Sequence, residues 1–228
     1  SPELKQVFAS EDGNKFLISS NGYLDIFDTE EFIYFDRFEL PEEYDNSILG
    51  VNENAQQVAL KANSGFYIFD LSTKIKSTAF ESAGEDYSFY AFPPIGKTFL
   101  YGIHHTSSMG RYSNLILRGV DENNSILIIN YQKPADAQDY FDYASPVASP
   151  DGEYLAAGYS DAQSNRIVVW KTDTAEVLYE ISDLPAPVTT LTIDPDSETF
   201  ASAGEDGIIR VWDMETGEFV ERINGLTT

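Results

Sequence analysis

The chain has 228 residues, and 38 acidic against 14 basic side chains leave a net charge of −24. Such a surface repels phosphate backbones and anionic lipid headgroups, so neither nucleic acid nor a membrane surface is expected as a partner. There is no cysteine, which removes disulfides, thiolate nucleophiles and cysteine zinc sites. No run of eighteen apolar residues is long enough to span a bilayer as a helix. The first residues, Ser1-Pro-Glu-Leu-Lys, have no apolar signal core, and the compartment stays open between cytoplasmic and exported. The acidity itself has two readings. It keeps a chain with 15 Phe and 14 Tyr soluble, or it favours basic partners and cations.

The predicted elements are short strands, in chain order. Phe16-Leu-Ile-Ser-Ser, Asn21-Gly22 and Tyr23-Leu-Asp-Ile-Phe form a hairpin signal, because Asn-Gly tolerates the positive φ angles of a type I′ turn. The same organisation then recurs. Each unit has an apolar strand after a turn, and a second apolar strand that ends on a large residue followed by a polar one. The pairs of anchors are Phe16 with Phe27-Asp28, Val58 with Phe69-Asp70, Phe99 with Val120-Asp121, Leu155 with Trp170-Lys171, and Phe200 with Trp212-Asp213. Alternating runs bounded by Asn-Gly, Asp-Gly and Pro-Pro turns argue for an all-β fold, and no apolar residues sustain a helical period. Five units in 228 residues give about 46 residues each, the size of a four-stranded sheet repeat.

The last unit, Val188 to Glu218 with its Ser202, Asp206 and Trp212-Asp213, resembles a repeat of the WD-repeat (Trp-Asp) β-propeller family. The resemblance implies a β-propeller of four-stranded antiparallel blades in a single domain, 1–228, with blades at about 4–41, 47–81, 87–132, 143–182 and 187–224. It is specific over roughly 145–225 and weakens towards the N-terminus, where Phe27 and Phe69 stand in for tryptophan. The family's Gly-His pair is missing throughout. Its Asp-His-Ser-Trp hydrogen-bond network is therefore incomplete, and Asp206, Ser202 and Trp212, which match three of its four positions, are expected to be structural. The family often closes its ring by completing the last blade with an N-terminal strand. Here each unit has its own strands and none is left over. The chain is then either a complete five-bladed ring closed by side-chain packing or five blades of a larger or open propeller with exposed edges.

The spacing between anchors exposes the irregular units. It is 11 residues in the first two units, 21 in the third, 15 in the fourth and 12 in the fifth. The excess falls at Ile103–Ser113 and Tyr159–Asn165, read as long second-to-third-strand loops, and the longest connection between units contains Gln132–Tyr143. In a propeller resembling this family such segments emerge on one face, and insertions on one face mark a candidate binding face. The expected partner-binding residues are His104, His105, Arg111, Tyr112, Tyr140, Phe141, Tyr143 and Asp161. Arginine and aromatic residues are the types enriched at interface hot spots. The alternative is a tolerated insertion with no partner.

Enzymatic motifs are not found: there is no Gly-x-Ser-x-Gly, His-Glu-x-x-His, phosphate-binding loop or dinucleotide fingerprint. His104 and His105 are the only histidines, and adjacent residues of a strand face opposite ways, which is unsuited to one metal ion. The acidic pairs match no calcium loop and read as turn chemistry. No cofactor or metal is expected. The expected function is a non-enzymatic protein-interaction scaffold that binds a protein or peptide through the loops of blades 3 and 4. A propeller hydrolase or lyase with acidic residues at a central channel, dependent on a cation, is the alternative, since fold alone does not decide chemistry. Self-association through open blade edges is a further expectation.

Overall fold

In a computed structural model the described residues are 4–10, 13–20, 22–31, 33–40, 44–52, 56–62, 65–81, 86–91, 98–107, 110–119, 126–129, 142–160 and 164–224. They form five four-stranded antiparallel sheets. Blade 1 holds β1 (Leu4–Ala9), β2 (Lys15–Ser20), β3 (Tyr23–Asp28) and β4 (Tyr34–Glu39). Blade 2 holds β5 (Tyr44–Val51), β6 (Gln57–Ala62), β7 (Gly65–Asp70) and β8 (Ile75–Glu81). Blade 3 holds β9 (Asp86–Ala91), β10 (Thr98–Ser107), β11 (Gly110–Gly119) and β12 (Ile126–Ile129). Blade 4 holds β13 (Asp142–Ala148), β14 (Tyr154–Ser160), β15 (Asn165–Lys171) and β16 (Val177–Leu184). Blade 5 holds β17 (Val188–Ile193), β18 (Thr199–Gly204), β19 (Ile208–Asp213) and β20 (Phe219–Asn224). Every blade is a simple up-and-down meander, with each strand beside its sequence neighbours.

Four of the five anchor pairs read from the sequence are cross-strand partners; in blade 3 Phe99 instead sits opposite Arg118, and Val120 lies outside the described residues. Phe16 sits opposite Phe27, Val58 opposite Phe69, Leu155 opposite Trp170 and Phe200 opposite Trp212. Successive residues of a strand face opposite sides, so each middle strand serves two neighbours. In blade 4, Leu155, Ala157, Tyr159 and Trp170 are buried with Leu100 of blade 3. The alternate residues Ala156, Ile167 and Val169 are buried with Leu191, Phe200 and Trp212 of blade 5. Blades 1 and 2 follow the same rule: Leu17, Leu24 and Ile26 pack against Val58 and Leu60. Phe66 of blade 2 meets Tyr101 of blade 3 edge to face, with centroids 5.2 Å apart. From blade 2 onward a back face packs on the blade before it, and up to blade 4 a front face packs on the blade after it.

The turns between third and fourth strands explain the aromatic-Asp pairs. The Asp70 carboxylate accepts hydrogen bonds from the Ser72 and Thr73 amides, both at 2.9 Å. Asp213 accepts from the Thr216 amide and hydroxyl, both at 2.8 Å. Asp28 takes the amides of Glu30 and Glu31. In each case an acidic side chain supplies acceptors that the reversing backbone needs. Blade 4 has Lys171 at this place. It instead lies 4.0 Å over the Tyr154 ring centroid and 3.4 Å from Glu153.

Gly217 ends the Asp213 turn with φ 70°, and a Cβ there would lie 2.6 Å from the Tyr179 ring. That ring is held in place because the Tyr179 hydroxyl donates to the Met214 carbonyl at 2.6 Å, tying blade 4 to blade 5. Gly22 has a similar φ of 77° but no atom near the position of a Cβ. Gly22→Ala is expected to cost only backbone strain, about 1 kcal/mol. Gly217→Ala adds overpacking against Tyr179 and is expected to cost at least about 1 kcal/mol more. Urea unfolding of the two variants checks the difference.

Candidate functional site

The excess of the third unit is not a loop in the structure. It is an extended hairpin, in which β10 and β11 pair without a break from Thr98 opposite Gly119 to Ser107 opposite Gly110. Among the described residues the flanking strands stop short of its tip. β9 begins with Asp86 opposite His104, and β12 reaches only Leu115. Among the described residues, His105–Ser107 and Gly110–Asn114 therefore form a two-stranded ribbon beyond the body of blade 3. The unbroken antiparallel ladder takes up the extra residues by pairing their inward-facing backbone groups with one another.

The ribbon carries three of the expected residues, and His104 stands at its foot beside β9. His105 lies opposite Tyr112 and Thr106 opposite Arg111, with His104 opposite Ser113. The backbone ladder runs through His104 and His105 without a turn. Tyr143 stands in β13 opposite Tyr159, near the hairpin end at which Ser160 faces Asn165. The start of β13 and the tips of the β10–β11 and β14–β15 hairpins lie at the same end of their blades, because inner strands start where second strands finish. Tyr140, Phe141 and Asp161 lie outside the described residues. So do Glu11-Asp12, Glu42-Glu43 and Asp121-Glu122 among the acidic pairs.

The other sequence candidates are turn and seam residues. Ser149-Pro-Asp-Gly152 and Asp194-Pro-Asp-Ser197 form matching reversals, with φ 73° at Gly152 and 59° at Ser197. The Ser197 hydroxyl accepts from the Asp151 amide at 3.2 Å, and so joins the two turns across blades. Trp212 donates its indole N–H to the Ser202 hydroxyl at 2.9 Å, a buried bond within blade 5. Asp206 takes no part in it. Its carboxylate accepts from Arg210 at 2.6 and 3.3 Å and from the Ile208 amide at 3.1 Å. Leu184, buried in the cluster around Trp212, has an apolar side chain that does not extend the network. Among the described residues no three His, Asp or Glu side chains gather closely enough to hold a metal ion.

With this geometry in hand, comparison with known proteins gives three findings. The family model described as "WD domain, G-beta repeat" matches residues 178–213, which run from β16 to the end of β19. Actin-interacting protein 1 of Drosophila melanogaster is 30% identical over 140 residues, covering 58% of this chain. The chain spans only 19% of that relative's length. The crystal structure of the Cps50 (Swd1) β-propeller domain of Myceliophteria thermophila superimposes with a TM-score of 0.67 at 13% identity, covering 98% of this chain and 72% of that one.

The chain folds as a β-propeller, and its last repeat matches the WD-repeat model. Propellers of this family generally serve as scaffolds for protein interaction. The WD repeat that matches best is also the one whose signature side chains are accounted for structurally, Trp212 by its bond to Ser202 and Asp213 by its turn. Sequence reasoning missed a different feature, the apolar exposure of the first and last blades: Val7 and Phe16 at one end, Ile209 and Ile223 at the other. A count of the blade faces left without a neighbour is the signal that finds them.

The Arg210 guanidinium holds the Asp206 carboxyl below the usual carboxylate range, with the Ile208 amide assisting. A group depressed in the folded state stabilises above its unfolded value, and the contribution is lost as pH falls through the folded value. The stability difference between wild type and Asp206→Asn is therefore expected to be constant from neutral pH down to about pH 5. It should then shrink as pH falls through and below about 4, where the unfolded carboxylate takes up its proton. Denaturant titrations of both proteins across that range check it.

Proposed function

We propose that this propeller is a non-enzymatic scaffold that binds a protein or peptide partner at the end of blades 3 and 4 where the β10–β11 ribbon projects. The observation that carries the reading is the ribbon itself, a paired two-stranded extension found on blade 3 while the β2–β3 hairpin of blade 1 closes with Ser20 opposite Tyr23. An ordered ribbon offers a partner a surface with little conformational entropy left to lose. Its Arg111, Tyr112, His104 and His105, with Tyr140, Phe141, Tyr143 and Asp161 from the neighbouring segments, are the residues assigned to contact. The family's general use in protein interaction supports a protein partner. So does the name of the Drosophila relative, which states an interaction with actin for that protein. The net charge of −24 favours a basic partner surface.

The test compares wild type with a variant in which Arg111, Tyr112, Tyr140 and Phe141 are all alanine. Partners recovered from a lysate of the source cell are identified by mass spectrometry. Recovery is expected to fall at least about tenfold, as the loss of one hot-spot residue alone suffices for, with the melting temperature changed by only a few degrees. Unchanged recovery of the same partners by the variant removes the site assignment.

A further inference from the structure

β20 is the outermost strand of blade 5, so one side of its backbone has no partner strand among the described residues. All six of its residues are exposed. Three are large and apolar: Phe219 is 54% exposed, Val220 55% and Ile223 48%. Edge strands are ordinarily blunted by lysine, proline, strong kinks or a covering segment. Phe219–Asn224 contains no lysine or proline and no residue of positive φ. A register shift between Val211 and Trp212 displaces β20 only near Val220, and Glu221–Asn224 pair in step with Ile208–Val211. The one basic side chain, Arg222, is turned along the strand and donates to Asn224 at 2.8 Å. The corresponding strand of blade 4, β16, ends differently, with φ 58° at Asp183 before buried Leu184.

The surroundings of this edge are apolar at the seam and acidic around it. The Phe219 ring meets the buried Trp212 edge to face, with centroids 5.6 Å apart, and so extends the seam between blades 4 and 5 outward. Tyr179 of blade 4 closes the inner side, through its hydroxyl bond to the Met214 carbonyl and its ring against Gly217. Phe219 is thus held on one side and open on the other, and a partner that covers it has little further ordering to do. Between Thr172 and Glu180 and between Val211 and Glu221 the sequence holds seven acidic residues and no basic one. Of these, Asp173, Glu176, Glu215, Glu218 and Glu221 are exposed. An apolar strand edge set among carboxylates is complementary to a segment that carries both apolar and basic side chains.

We propose that the outer edge of β20 docks an extended segment of a partner protein in which lysine or arginine alternates with apolar residues, the segment adding to blade 5 as a further strand. This surface is separate from the β10–β11 ribbon and does not depend on it. Backbone pairing with β20 supplies the hold, and the side chains supply the choice of partner. Apolar residues of the segment cover Phe219, Val220 and Ile223, and its basic residues face Glu218 and Glu221. A second copy of this chain fits the edge less well. The two antiparallel pairings of greatest overlap about a two-fold axis set Glu221 opposite Glu221 or Arg222 opposite Arg222, and like charges directly opposite each other destabilise a sheet.

The probe is a short fluorescent peptide of alternating lysine and valine, long enough to span β20, with binding read by anisotropy at fixed ionic strength. Val220→Ala combined with Ile223→Ala is expected to weaken binding about tenfold. Glu218→Gln combined with Glu221→Gln is expected to weaken it about fivefold. Glu30→Gln combined with Glu31→Gln, on a turn of blade 1, removes the same charge and is expected to leave binding unchanged. Two further peptides, N-methylated at every valine or at every lysine, test the pairing itself. A strand added at an edge turns alternate amides towards it, so the two are expected to differ at least about tenfold in affinity. Arg111→Ala combined with Tyr112→Ala is expected to have no effect, which keeps this surface and the ribbon distinguishable.

Equal weakening by the blade 1 pair overturns the proposal in favour of diffuse attraction to a chain of net charge −24. No binding to the wild type, or binding that survives both β20 variants, overturns the site. Equal affinity of the two methylated peptides overturns strand addition. Loss of binding in the Arg111 and Tyr112 variant overturns it in favour of the ribbon. A wild type that is dimeric by mass, and monomeric once Val220 and Ile223 are alanine, overturns it in favour of a second copy. Melting temperatures accompany each variant; should the Val220 and Ile223 variant unfold, the Glu218 and Glu221 variant, changed only at exposed carboxylates, decides.

Discussion

The constraint on which this structure depends is that a four-stranded sheet with apolar side chains on both faces needs a neighbour on each side. Alternation along β14 makes this concrete. Leu155, Ala157 and Tyr159 are committed to blade 3, while Ala156 is committed to blade 5. No single blade could bury both sets, so the blades are stable only as a row, with each seam contributing to both of its members. Burial of Leu155 or Phe200 is worth about 1.5–3 kcal/mol for each side chain, and each of these terms exists only while the adjoining blade is folded. Cooperativity between blades is a direct result, and the end blades, each with one face uncovered, are the weakest members of the row.

The position of the ribbon follows from the same constraint. Blade 3 is flanked on both sides, through Tyr101 against Phe66 and Leu100 against Leu155 and Trp170. A hairpin extended from such a blade has a fixed base. Had the same ten-residue strands grown from blade 1 or blade 5, their base would stand on a sheet with one open face. Two-stranded ribbons are themselves marginal when isolated, so the ordered length of β10 and β11 depends on the seams at their foot. The two candidate surfaces are thereby separated: polar and aromatic residues at the tip of a sealed blade, and the apolar outer edge of blade 5 at one end of the row.

Much of this was legible in the sequence because a strand's face alternation is local. Phe16 and Phe27, or Leu155 and Trp170, could be recognised as anchors from their own surroundings, and they pair across strands as the spacing requires. The extra residues between Phe99 and Val120 were legible as an excess but not as strand. The number of residues between two anchors is the same for a long loop and for a longer ladder, and only the pairing of Ser107 with Gly110 separates them. The exposure of Phe16 was not legible at all. Phe16 and Phe200 are the same residue type at the same place in their repeats, and they differ only in whether another blade stands in front of them. That property belongs to the assembly of blades and not to any stretch of chain.

The family's polar signature is reduced here, and the reduction shows what can be removed from such a seam. Of the positions that match the Asp-His-Ser-Trp network, only the bond from Trp212 to Ser202 is formed; Asp206 turns to Arg210, and apolar Leu184 lies in the cluster with Trp212. The seam between blades 4 and 5 is nevertheless closed by Ala156, Ile167, Val169, Leu191, Phe200 and Met214. Apolar packing closes the seam where the network is incomplete, and the retained Asp206 carboxylate is satisfied by Arg210 instead. It also explains how so acidic a chain holds its blades together. The ion pairs Arg166–Glu180, Lys171–Glu153 and Arg210–Asp206 each lie within one blade, and Lys74–Asp36 links blades 1 and 2 only at an exposed rim. Exposed pairs of that kind contribute about 0–1 kcal/mol and are screened by salt. Among the described residues the seams rest on apolar area and shape with a few hydrogen bonds such as Tyr179 to Met214, so the strong negative charge of the chain does not set how these blades adhere.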